Sequence, residues 1–340
     1  MPTPTDSLGS AGPLLRAADP GRHDPTADAE RLIALRRAVD IRTRGVRQAP
    51  ARPRRSRRSV LVGIPAGVVA AGAVVAVVVA GAGHPGTGPD RPISGTVAVQ
   101  AGDPAGVPGV LDRIATAASS QPVVVPGVHD FVYVKSRIAF TEQVQERTMD
   151  GPGRLDAVHD REVWLSQDPD DPEGLIREGG QDIDLHGTAD DPTVYAALAQ
   201  LPTDPVQLLA QIRTQVADRA GGADYAAFDQ IGQLVHESIA PPDVAAALYR
   251  AVALIPGVEV VPDAVDAAGR HGVGVALISD GQRYEWIFDP DSYVFLGERD
   301  YLVQDTTLGP AGMLTGLSAV LARGVADEPG DEPDADHLVD

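Results

Sequence analysis

The feature that most constrains this chain is a run without one charged or polar side chain, Val60 to Gly83, set directly behind a block of arginine. Its 24 residues are nine Val, seven Ala, five Gly, Leu61, Ile64 and Pro65. At 1.5 Å per residue such a helix rises about 36 Å, against roughly 30 Å for the hydrocarbon core of a bilayer, so it is long enough to span with some tilt. Eight arginines stand between Arg42 and Arg58, with Arg54, Arg55, Arg57 and Arg58 nearest the run, and the next arginine or lysine after it is Arg91. Basic flanks stay in the cytoplasm. The expected topology is an inner N-terminus, a single transmembrane helix and a cell-membrane protein whose remainder lies outside the cytoplasm. A second reading stays open, because Ser56-Arg57-Arg58-Ser59-Val60-Leu61 resembles a twin-arginine export signal and Ala80-Gly81-Ala82 has the small residues of a cleavage site. The leader of 58 residues is long for a signal, and the apolar run exceeds the usual span of about 7 to 15. Either way the C-terminal part leaves the cytoplasm.

Charge is divided by the same run. The formal net charge is -20, but residues before Val60 carry an excess of arginine and everything after it is strongly acidic, which argues against direct nucleic acid binding. Cysteine is absent, so disulfides, thiolate metal sites and a cysteine nucleophile are excluded. With 340 residues, 43% of them hydrophobic, the chain can fill a core beyond the membrane segment.

Composition and periodicity divide the chain further. Residues 1–26 are rich in Pro, Gly, Ser and Asp and predict a disordered cytoplasmic leader. Residues 27–48 predict an amphipathic helix with Leu32, Leu35 and Val39 on one face, either lying on anionic lipid or docking on a cytoplasmic regulatory protein. Residues 49–59 form a basic juxtamembrane linker, 60–83 the span, and 84–104 a Gly/Pro-rich tether.

The segment 105–326 predicts an extracytoplasmic α+β domain, an antiparallel sheet with packed helices. A helix over Val110 to Ser119 precedes a strand over Phe131 to Phe140, where Val132, Val134, Ile138 and Phe140 alternate with polar residues. Arg161 to Ser166 and Leu175 to Glu178 follow as strands. Thr203-Asp204-Pro205 opens a helix whose inward face reads Val206, Leu209, Ile212 and Val216. Asp224 opens a second, with Tyr225, Phe228, Ile231, Val235 and Ile239 inward, and Pro242 a third, with Val244, Leu248 and Ile255. Four strands over 258–265, 272–279, 283–289 and 293–303 form a meander, with hairpin turns at Asp280-Gly281 and Asp289-Pro290-Asp291-Ser292. The acidic stretch 327–340 predicts a disordered, solvated tail.

Chemistry-bearing patterns are sparse. The eight histidines form no ligand spacing, and no nucleophile elbow, phosphate-binding loop or kinase signature occurs, so the chain reads as a non-enzyme with no cofactor and no metal. Gly81-Ala82-Gly83-His84-Pro85-Gly86 matches a dinucleotide fingerprint in spelling alone, because Pro85 and Pro89 deny it the following helix. Tyr284, Trp286 and Phe288 share one face of a strand, either as core or as the lining of a groove for an apolar envelope ligand.

The ordered motifs Phe131-Val132-Tyr133-Val134-Lys135-Ser136, Arg161-Glu162-Val163-Trp164-Leu165-Ser166, Leu201-Pro202-Thr203-Asp204-Pro205, Ile255-Pro256-Gly257-Val258, Asp266-Ala267-Ala268-Gly269-Arg270-His271-Gly272-Val273 and Phe288-Asp289-Pro290-Asp291-Ser292-Tyr293 resemble an actinobacterial single-pass membrane family. The resemblance covers most of 27–327 and implies no activity. The plan of inner helix, span and outer domain is similar to anti-sigma envelope sensors, which implies signalling to a sigma factor. The order of strands and helices is similar to lipoprotein-carrier half-barrels, which implies a lipid- or lipoprotein-binding role. Both are likenesses of architecture and carry no catalytic residue over.

Overall fold

A computed structural model of the chain describes residues 95–141, 153–187, 191–219 and 221–339. The apolar run at 60–83, the arginines Arg54, Arg55, Arg57 and Arg58, and the helix face of Leu32, Leu35 and Val39 lie outside the described residues. Among the described residues no helix is long and apolar enough to cross a membrane.

The chain forms an α+β domain on one open, wholly antiparallel sheet. Helix α1 (Val107–Ser119) leads into a first meander of β1 (Phe131–Phe140), β2 (His159–Ser166), β3 (Glu173–Glu178) and β4 (Gln181–His186). Then come the short α2 (Tyr195–Leu198) and the longer α3 (Pro205–Gln215), α4 (Ala223–His236) and α5 (Pro242–Val252). A second meander follows: β5 (Glu259–Val265), β6 (His271–Ser279), β7 (Gln282–Phe288), β8 (Phe295–Leu302) and β9 (Leu314–Ala326). The spatial order is β4-β3-β2-β1-β9-β8-β7-β6-β5, so β1 and β9 pair in the middle and join the two meanders. The chain therefore leaves the sheet at one edge and re-enters at the other. The helices that make this connection lie across one face of the sheet.

Local sequence explains most of these elements. Asp204 caps α3, its carboxylate accepting from the backbone of Val206 and Gln207, with Pro205 at the first position, where a missing N–H costs no bond. Asp280 and Gly281 turn the β6–β7 hairpin with φ of 49° and 79°, the two positive values that a type I′ turn demands. Asp289 accepts from the backbone of Asp291 and Ser292, which closes the next turn and holds its own carboxyl below the usual range.

The helix-covered face holds the main core. Phe228 of α4 stacks on Trp286 of β7 at 3.9 Å, Tyr225 tilts against Tyr284 at 4.6 Å, and Tyr249 of α5 meets Phe288 edge-on at 5.6 Å. The opposite face carries a buried polar network. Arg299 donates from Nε and Nη2 to Glu285 at 3.0 to 3.2 Å, and Arg283 donates to the Tyr301 hydroxyl at 2.6 Å, to the Gln100 carbonyl at 2.8 Å and to Glu259. Burial holds the Glu285 carboxyl above its ordinary value even with the charge of Arg299 beside it.

Four expectations change. Val206 is 63% exposed, and Leu208 takes its place in the core beside Leu209 and Ile212, because the first turn of α3 faces outward. Strands β4 and β9 have no counterpart in the sequence reading, although Gly179-Gly180, with φ of 58° and 76°, supplies the β3–β4 turn. The end of the tether is part of the domain: Thr96 bridges Met313, and Asp103 bridges Val260 on the edge strand β5. The acidic tail is not a free, solvated extension either. Trp164 Nε1 donates to the Asp331 carbonyl at 2.7 Å, Lys135 pairs with Glu332 at 2.6 Å, and Leu338 bridges Gly324. Composition signals a solvated tail because it counts seven acids from Asp327 onward, but these fastenings run mainly through backbone carbonyls and the only lysine of the chain.

Candidate functional site: a cavity bordered by the C-terminal segment

Where α1 ends, the helix layer leaves a cavity of about 160 Å³. Three of the side chains that bound it on the helix side are small: Ala117 and Ala118 in the last turn of α1 and Ala245 in α5. Large residues there would fill the gap, so the cavity follows directly from alanine at these positions. Its deeper wall is aromatic and aliphatic, formed by Tyr249, Phe295, Val235 and Ile239. Gln121 and Pro122 stand at the rim, and from there the loop continues as Val123-Val124-Val125, whose Val123 and Val125 are exposed.

One charged side chain lines this space. Arg323, from the helix-covered face of β9, is buried, and its Nη1 donates to the carbonyls of Val235 and Ser238 at 3.0 and 3.1 Å. These bonds tie the end of α4 to the centre of the sheet and fix the guanidinium against the apolar wall. The remaining side chains that line the cavity are neutral.

The β7–β8 turn supplies another wall. Tyr293 adopts a positive φ of 59°, and the Arg113 guanidinium lies 5.5 Å from the centre of its ring. Phe295, on the cavity floor, stacks on His236 at 3.9 Å with an interplanar angle of 7°. His236 in turn meets Trp286 edge-on at 4.8 Å, and its Nδ1 lies 2.5 Å from Glu298 Oε1. The cavity floor and the Trp286 stripe thus share one aromatic stack. The last wall is the tail, through Leu338 and Val339.

The stripe Tyr284, Trp286 and Phe288 lies beneath α4 and α5 rather than along an open groove, and none of the three lines the cavity. Burial pushes the Tyr284 hydroxyl up to about 12, so it stays protonated across the physiological range. Asp266 and Arg270 pair across their turn at 2.6 Å, and Arg270 also donates to the carbonyls of Leu296 and Val320, which makes this cluster a clamp between strands. The adjacent pairs His129-Asp130, His159-Asp160 and His236-Glu237 send their histidines to other partners: Asp168, Glu178 and Glu298. No group of three or more metal-ligating side chains occurs among the described residues.

Sequence reasoning missed the cavity. Ala117, Ala118 and Ala245 carry no signal singly, and Arg323 lies 88 residues from the carbonyl of Val235 that it holds. The one legible sign is the exposed apolar run after Gln121. No protein-family model matches the chain, and a search of curated proteins finds no similar one.

Proposed function

We propose that this chain is a membrane-anchored binding or sensing module whose outer domain takes the apolar end of a small amphipathic molecule. The observation that supports it is the cavity between α1 and α5, lined mainly by apolar side chains and by one cation, Arg323. A volume of about 160 Å³ matches the roughly 150 Å³ apolar cavities that accept a benzene-sized group. The fitting occupant is a short alkyl or aromatic group, and its polar head is neutral or anionic, because a cation would meet Arg323. The anchor is supported by the uncharged run at 60–83 and the arginines before it. Release of the chain from membranes by alkaline carbonate would contradict that anchor.

The half-barrel carrier reading draws support from helices laid over one face of an antiparallel sheet. The stacking of Phe228 on Trp286 limits it, since a carrier of whole lipids needs that face open. A cavity of this size suits a single short chain. Signalling through Leu32, Leu35 and Val39 to a cytoplasmic regulatory protein, a sigma factor first among candidates, belongs to the same proposal as the means by which occupancy outside would be reported inside.

Calorimetry with octanoate on the full chain tests the binding role. Octanoate binds the unaltered chain, and Ala118→Trp, which fills the cavity from α1, weakens binding at least tenfold while melting at a similar temperature. Equal affinity in both proteins places the ligand elsewhere and overturns the assignment.

A further inference from the structure

We infer that the C-terminal tail is a displaceable strap, which narrows the cavity in the empty protein and lifts when an occupant enters; this rests on the binding role proposed above. The edge of β9 shows how the strap is seated. Strand β8 pairs with β9 only between Leu314 and Leu317, and the β5–β6 turn covers the next stretch, through Ala267 N–H to the Ser318 carbonyl and Arg270 to the Val320 carbonyl. Beyond that point β9 has a free edge, and the tail occupies it. Leu338 bridges Gly324, the Val339 N–H donates to the Arg323 carbonyl at 2.9 Å, and both residues then form a cavity wall.

Gly324 shows that this approach is built for the tail. A Cβ at position 324 would meet the His337 carbonyl oxygen at 2.6 Å, Pro333 Cγ at 3.1 Å and Leu338 Cα at 3.2 Å, and all three of these nearest atoms belong to the tail. A side chain there would push the tail away and meet nothing else so closely.

The remaining fastenings are few, and only that to Trp164 reaches a buried side chain. Lys135 holds Glu332 with the two side chains 35% and 63% exposed, Trp164 holds the Asp331 carbonyl, and Arg177 donates to the Gly330 carbonyl at 3.2 Å. An exposed ion pair contributes little and is screened by salt. Seven acids in the tail repel one another and the acidic domain. The helices and strands around the cavity are held by core packing, whereas the tail crosses it with Val339 alone packed on the Val132, Val134, Ile239 and Val325 cluster. Leu338, 43% exposed, then leaves little buried surface behind when it moves.

Hydrogen exchange and octanoate calorimetry on the full chain, the Gly324→Ala variant and the Lys135→Ala variant test the strap. Both variants speed exchange of the backbone amides of 334–339 and raise octanoate affinity at least threefold, and by linkage octanoate speeds the same exchange in the unaltered chain. Lys135→Ala, a surface change, keeps the test valid where Gly324→Ala lowers folding yield. Heat with the unaltered chain but no gain in either variant, or slower tail exchange with octanoate bound, overturns the strap and makes the tail a fixed wall. No heat with any of the three proteins overturns the binding role itself, whereas heat appearing only in the variants supports both.

Discussion

Glu285 and Arg299 set the terms at the scale of single residues. The carboxylate is wholly buried and accepts two donors of one guanidinium, so removing either partner leaves a buried charge without its main counter-ion. Glu285→Leu is expected to cost about 3 to 5 kcal/mol in chemical denaturation, and the double change Glu285→Leu with Arg299→Met much less, because desolvation of the pair offsets most of its attraction. His159 gives a pH-dependent counterpart. Its hydrogen bond to Glu178, with the backbone carbonyl of Ala157 on the other nitrogen, holds its pKa above the ordinary 6.5. The fold therefore prefers the charged ring, so this contribution is complete below about pH 6.5 and disappears as pH rises through the raised value. Denaturation of the His159→Gln variant across pH should show a deficit against the unaltered chain that is largest in mild acid, where Glu178 is still ionised, and closes in mild alkali. A constant deficit would mean that packing alone is lost. Such partners are invisible in the sequence, because Glu178 is 19 positions from His159 and Glu285 is 14 from Arg299.

Elements were legible where a local rule decides them and obscure where burial on both faces removes the alternation. Asp204-Pro205 and Asp280-Gly281 each state a cap or a turn within two residues, and both lie where the sequence reading puts them. Strand β9 reads Leu-Thr-Gly-Leu-Ser-Ala-Val-Leu-Ala-Arg-Gly-Val-Ala, and its four residues at each end are buried on alternating faces alike. A central strand covered on both sides has no polar face to mark its period. Strand β4 is different, since Ile183 and Leu185 alternate with acids after a Gly-Gly turn. The cap of α3 provides the test at this scale: Asp204→Ala should lower stability by about 1 kcal/mol, while Val206→Ser, at an exposed position, should change it by less than about 0.5. A large loss at Val206 would restore the inward face that the periodicity predicts.

The whole molecule joins a charge-divided chain to a helix-covered sheet. Most strands of the two meanders follow from strand and turn signals, but their order in the sheet and the cavity do not, the cavity because it is a gap left beside three alanines from two helices that the fold alone brings together. The tether and tail, which composition assigns to solvent, join the sheet through backbone bridges, at the edge strand β5 and along the central β9, that composition does not encode. Photocrosslinking with a diazirine-bearing octanoate on the full chain, followed by peptide mapping, tests the central claim most directly. Labels concentrated at 117–124, 235–249 and 293–295, and lost in Ala118→Trp, are the result predicted by an apolar site between α1 and α5. Labels scattered over the surface, or unchanged when the cavity is filled, would contradict it.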